Sequence, residues 1–62
     1  MTERKLPSPF RLKQMRVRKK ISQQELADQL RVTQVTLSNW ERGKHVPHDF
    51  MLERWRDVLE DL

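Results

Sequence analysis

The sequence has no cysteine and a single glycine among its 62 residues. Without cysteine the chain forms no disulfide, and cysteine-based zinc sites are excluded. One glycine cannot supply a glycine-rich phosphate loop. No nucleophile stands beside a base, and His45 and His48 have no third candidate ligand nearby. We therefore expect no enzymatic activity, no metal, no cofactor and no small-molecule ligand.

Long apolar runs are also missing. No stretch approaches the ~18 apolar residues that suggest a membrane span, and no hydrophobic segment follows a basic start as in a secretion signal. We expect a cytoplasmic protein that does not enter a membrane. A chain this short is one domain that buries only about 60% of its unfolded surface. Its core must come from well-packed helices, from an oligomer, or from both.

Basic residues are concentrated in the first third of the chain. Residues 1–20 carry eight basic groups and one acidic group, whereas residues 21–62 carry five basic and eight acidic groups. One end of the molecule is therefore electropositive, which favours a polyanion such as nucleic acid as partner. The alternative is a solvated face that only aids solubility.

Capping signals divide the chain into helices. Residues 1–8 contain few apolar groups and Pro7, so they predict a flexible basic arm ahead of a domain over 9–62. Ser8 as N-cap and Pro9 as first residue predict a helix to about Lys19. Leu12, Met15 and Lys19 share one face of this helix, with Phe10 and Val17 flanking. Ser22 and Glu25 match a capping box, which predicts a short helix over 23–30.

Two more helices follow. Thr33 as N-cap and Gly43 as terminator predict a third helix over 34–42, with Leu37 and Trp40 facing inward. A fourth helix is predicted from His48 or Asp49 to about Leu59. Its apolar stripe consists of Leu52, Trp55 and Leu59. No β-alternation is visible, so we expect a compact all-α domain.

The second and third helices carry the functional signal. Helices this short are unstable alone and need to cross over a shared core. Such crossing leaves the later helix protruding, and an α-helix fits the DNA major groove. Its predicted outer face is uncharged, whereas an ordinary solvated face would carry lysine and glutamate. The side chains on that face are Gln34, Val35, Thr36, Ser38 and Asn39. A polar helix without function is the alternative.

A set of residues spread over the first three helices matches a known pattern: Leu12, Arg16, Ser22, Gln23, Glu25, Leu26, Ala27, Val32, Thr33, Leu37, Ser38, Glu41, Gly43 and Pro47. On these residues the sequence resembles the Cro and phage-repressor type of helix-turn-helix domain. The resemblance covers Leu12–Pro47 and continues weakly to Leu59. It implies a lambda-repressor-like fold of four helices, with a fifth helix as the alternative.

The resemblance also implies roles for individual residues. The implied base-contacting residues are Gln34, Val35, Thr36 and Asn39. The implied phosphate-contacting residues are Gln23, Thr33, Arg42, Lys44 and His45. Arg16 and Glu41 match a structural ion pair between the first and third helices. Lys20 and Arg31 depart from the pattern, because the family commonly has glycine at both positions.

These observations predict a sequence-specific regulator of transcription, a repressor, that binds double-stranded DNA as a homodimer on an inverted repeat. One alternative is a protein-interaction module on the same fold, such as an antitoxin-like partner binder, without specific DNA readout. Its partner surface would lie on the last helix, at Met51, Trp55, Val58 and Leu62. Another is nonspecific nucleic-acid binding through the basic N-terminal third.

Overall fold

The computed structural model describes residues 6–62 and contains four α-helices: α1 Pro9–Arg18, α2 Gln23–Leu30, α3 Gln34–Glu41 and α4 Asp49–Asp61. The all-α prediction is confirmed, and no fifth helix or strand occurs in the part described. None of these helices is long and apolar enough to cross a membrane. Most of the predicted arm, residues 1–5, lies outside the described residues.

Three hydroxyl side chains begin the first three helices. The Ser8 Oγ accepts the backbone N–H of Arg11 at 3.2 Å. The Ser22 Oγ accepts the Glu25 N–H at 3.0 Å, and the Ser22 N–H donates back to the Glu25 carboxylate at 3.1 Å. The Thr33 Oγ1 caps α3 at 3.1 Å. These bonds confirm the three predicted N-caps. The sequence could predict them because each cap depends on local spacing alone.

Left-handed backbone at three positions separates the helices. Lys20 between α1 and α2 and Arg31 after α2 both have φ near 60°, and Gly43 after α3 has φ 77°. Arg31 and Val32 N–H groups donate to carbonyls of the last turn of α2, at 3.2 and 3.0 Å. Left-handed backbone costs a residue other than glycine roughly 1–2 kcal/mol, so Lys20 and Arg31 carry a strain that Gly43 avoids.

All four helices contribute to one hydrophobic core. Its buried members are Leu12, Leu26, Ala27, Leu30, Leu37, Trp40, Leu52, Trp55 and Leu59. The predicted stripe of α4 is confirmed, because its three side chains are buried. The ring centroids of Trp40 and Trp55 lie 6.0 Å apart. Phe10 and Val17, expected beside the inward face of α1, are 64% and 55% exposed. Burial of Trp55 also corrects its assignment to a partner surface, because its side chain is fully buried.

Candidate nucleic-acid interface

Helix α3 is fixed to the rest of the molecule along one side. It packs against α1 and α2, with Leu37 and Trp40 buried in the core. The turn between α2 and α3 is short, since Thr33 already caps the next helix. The side of α3 opposite the core faces solvent, and Gln34 and Val35 are exposed there. The two helices therefore pack against each other across a short turn, as the sequence predicts.

A shallow depression of about 280 Å³ lies on this exposed side. It is lined by Gln23, Gln34, Val35, Ser38, Asn39 and Arg42. Three of the four residues expected to contact bases thus border one surface. The fourth, Thr36, is half-buried, and its hydroxyl accepts the Thr33 hydroxyl at 2.8 Å. Amide, hydroxyl and methyl groups line the face, with a guanidinium at its edge.

A buried ion pair lies behind this surface. The Arg16 guanidinium donates to both carboxylate oxygens of Glu41, at 2.7 and 3.1 Å. The side chains are 11% and 1% exposed. A third donation from Arg16 reaches the Ile21 carbonyl at 2.7 Å. The sequence-predicted pair is in place, and this two-pronged geometry joins α1, α3 and the loop before α2.

Gln23 connects the ion pair to the exposed face. Its side-chain Nε2 donates to the Glu41 Oε1 at 2.9 Å. On the other side, the Gln34 Nε2 lies 3.5 Å from the Gln23 Oε1, the outer limit of a hydrogen bond. Sequence reasoning placed Gln23 only at a phosphate and missed this link. No local pattern reports it, because Gln23 and Glu41 are 18 residues apart.

The remaining phosphate candidates lie at the two ends of α3, and among them Arg42 alone lines the depression. Thr33, Arg42, Lys44 and His45 are all exposed. The Arg42 Nη2 lies 3.3 Å from the Asn39 Oδ1. The loop after α3 folds back, so that the Lys44 and His45 N–H groups donate to the Asn39 carbonyl at 2.9 and 3.4 Å. Two cationic side chains therefore lie beside a neutral, hydrogen-bonding helix face.

A helix-turn-helix family model matches residues 12–60. The chain belongs to the helix-turn-helix family of the Cro and phage-repressor type. This family consists of DNA-binding regulatory domains and is not a family of enzymes. Neither the search of curated proteins nor the search of solved structures gave a match.

The residue range of the family match can be compared with the positions of the helices. The matched range contains all of α2 and α3 and the turn between them, so the exposed face of α3 lies within the part of the chain that matches a family of DNA-binding domains. Within residues 6–62, no group of three or more histidine and acidic side chains could hold a metal ion.

Proposed function

We propose that the protein is a sequence-specific regulator of transcription, a repressor, that inserts α3 into the major groove of double-stranded DNA. One observation carries this proposal. The exposed face of α3 is neutral and rich in hydrogen-bonding groups, lies beside cationic residues, and is held by a buried ion pair. A surface that reads bases needs this rigidity, because a contact that moves by an ångström loses its discrimination.

The residues proposed to read bases are Gln34, Val35, Thr36 and Asn39. A glutamine or asparagine amide offers a donor and an acceptor side by side, which matches the N7 and N6 of adenine. The Val35 side chain, 70% exposed, and the Thr36 methyl suit the methyl group of thymine. These four side chains would distinguish base pairs rather than only attract the duplex.

The residues proposed to contact phosphates are Gln23, Thr33, Arg42, Lys44 and His45. Thr33 lies at the start of α3 and Gln23 at the start of α2, where unpaired N–H groups favour an anion. Arg42 and Lys44 add positive charge at the other end of α3. Contacts of this kind set the position of a protein on the duplex without specifying sequence.

We further propose that the protein acts as a homodimer on an inverted repeat. One domain of this size makes few contacts, and two copies double them. The exposed side of α4 supports this assignment. Phe50 is 65% and Leu62 is 52% exposed, and Val58 is half-buried. Phe50 and Val58 border a shallow surface depression of about 790 Å³, whose other lining residues are charged: Glu53, Arg54, Asp57, Glu60 and Asp61. Phe50 was not among the residues that the sequence analysis assigned to this surface.

A salt series of gel shifts tests the base and phosphate assignments together. Gln34→Ala is expected to lose roughly 1–3 kcal/mol of binding free energy on specific sites only. Lys44→Ala is expected to weaken binding to all duplexes and to reduce the salt slope by about one unit. Gln29→Ala is the matched control, because Gln29 is an exposed amide on α2 outside the depression. Unchanged sequence preference in Gln34→Ala would contradict base reading.

A protein-interaction module without DNA readout is the second candidate. The exposed apolar side chains Val46, at 83%, and Phe50 favour it. Against it, Val35 is the one large apolar side chain exposed on α3, whereas protein interfaces centre on apolar and aromatic anchors. If this candidate holds, Gln34→Ala and Lys44→Ala leave partner binding unchanged and neither variant nor wild type shifts DNA.

A further inference from the structure

The buried ion pair reaches the exposed face through a chain of side chains. Arg16 holds Glu41, Glu41 accepts from Gln23, and Gln34 lies next to the Gln23 oxygen. We propose that Glu41 is a positioning residue for base readout: its carboxylate fixes the orientation of the Gln23 amide, which fixes the orientation of the Gln34 amide. This inference rests on the proposed role of Gln34 in reading bases.

The orientation follows from the chemistry of the groups. A carboxylate only accepts hydrogen bonds, whereas a glutamine amide has a donating end and an accepting end. The end of Gln23 that lies 2.9 Å from Glu41 must therefore be the NH2 group. Its oxygen then points away from Glu41, toward Gln34. An oxygen at that place favours the NH2 end of Gln34, which lies at 3.5 Å.

Glu41 is suited to this role because it has little freedom to move. Its side chain is 1% exposed, and three hydrogen bonds from two donor residues converge on its oxygens. Both oxygens accept hydrogen bonds from one planar guanidinium, which fixes the orientation of the carboxylate plane. Gln23 is half-buried against it and takes its orientation from that plane.

The consequence for DNA is discrimination rather than affinity. Adenine presents an acceptor and a donor in the major groove, guanine two acceptors, and cytosine a donor. An amide that flips freely matches more than one of these patterns. An amide whose NH2 end is held in one orientation matches fewer of these donor and acceptor patterns. Cutting the chain of contacts would therefore relax preference at the base pair that Gln34 reads.

The variant Gln23→Met tests this directly. It removes the amide, keeps a side chain of similar length, and leaves the Arg16–Glu41 pair intact. The position that Gln34 reads is first identified as the base pair at which Gln34→Ala loses preference. There, the ratio of Kd for a substituted site to Kd for the preferred site is expected to fall at least about threefold in Gln23→Met, which is ~0.67 kcal/mol at about 1.4 kcal/mol per tenfold.

The rival role for Gln23 is a phosphate contact alone. That role predicts an equal loss of affinity on both sites and an unchanged ratio, which would overturn the inference. If Gln34→Ala itself leaves every ratio unchanged, the proposed base reading fails instead. The two failures are thus distinguishable.

A second variant tests Glu41. Arg16→Met combined with Glu41→Met removes both charges, so that neither is left unpaired in the interior, and also removes the oxygen that accepts from Gln23. The ratio is expected to fall as in Gln23→Met, with no further fall when all three substitutions are combined. Falls that add, or a ratio equal to that of the wild type, would overturn the inference. Near-ultraviolet circular dichroism of Trp40 and Trp55 checks that the core is intact.

An NMR measurement on the DNA-free, unmodified chain keeps the test independent of folding in these variants. The Gln23 side-chain N–H bonded to Glu41 is expected to exchange with solvent several times more slowly than the N–H groups of Gln29, which is exposed. Equal exchange rates would show that Glu41 does not hold the Gln23 amide.

Discussion

At the scale of single residues, the two strained positions are both basic. Lys20 and Arg31 hold φ near 60° on either side of α2, and both side chains are exposed. Glycine adopts this backbone without the clash that a Cβ introduces. No hydrogen bond or ion pair of either side chain in the described part of the chain offsets the strain.

Glycine at these positions is therefore expected to stabilise the domain. Lys20→Gly and Arg31→Gly should each raise the free energy of unfolding by about 1 kcal/mol, because the strain exceeds the extra chain entropy that glycine loses. Urea unfolding followed by tryptophan fluorescence measures this. Lys13→Gly is the matched control: Lys13 lies within α1, where glycine should destabilise by about 1 kcal/mol. A loss of stability in both loop variants would contradict the assigned strain.

Residue-level features differ in how far the sequence predicts them. The caps at Ser8, Ser22 and Thr33 were predictable, since each depends on a spacing of three residues. The left-handed state of Lys20 and Arg31 was indicated only by comparison with the family's glycines, because the residues themselves disfavour it. The bond from Gln23 to Glu41 depends on how three elements pack, which no local pattern encodes.

At the scale of elements, α3 owes its position to its attachments rather than to its own stability. Eight residues form barely two turns, too few to persist alone in water. Leu37 and Trp40 anchor it in the core, and Glu41 ties its last turn to α1. Loss of that tie should affect the whole domain.

Glu41→Ala is accordingly expected to destabilise the protein by roughly 3–5 kcal/mol, because it leaves the Arg16 guanidinium largely buried without its partner. Thermal unfolding followed by circular dichroism measures the loss. Glu53→Ala, an exposed glutamate on α4, is the control and should change stability by less than about 0.5 kcal/mol. Equal small effects in both variants would mean that the ion pair contributes little.

Polar caps predicted where the helices begin, whereas α3 ends at Glu41, one residue before the predicted end at Arg42. The limits of α2 match the prediction, whereas α4 continues two residues beyond Leu59, to Asp61. Neither Glu60 nor Asp61 stops a helix, so periodicity of the apolar stripe ended before the helix did. Periodicity also placed Phe10 and Val17 near the core, because it does not report how wide the buried face of α1 is.

At the scale of the whole molecule, charge is separated between the first helix region and the last. Residues 6–20 carry six basic groups and no acidic group, whereas residues 49–62 carry five acidic and two basic groups. Such a separation orients a protein as it approaches a polyanion. It also favours the α4 side, rather than the basic side, as the surface that meets a second copy while DNA is bound.

Combined substitution of Val58→Lys and Leu62→Lys is expected to convert a dimer to a monomer, since burying two ammonium groups at a subunit contact in place of apolar side chains is unfavourable. Sedimentation velocity measures the change. Gln29→Lys, on the exposed side of α2, is the control and should leave the dimer intact. An unchanged sedimentation coefficient in the double variant would remove α4 from the dimer interface.

Selection of bound sites from random duplex DNA tests the central claim most directly. A regulator that reads bases through α3 as a dimer should enrich one short half-site, present twice in inverted orientation, with centres about one helical turn apart. The Gln34→Ala variant should lose preference at one position of that half-site. Recovery of unrelated sequences without enrichment would contradict sequence-specific recognition by this protein.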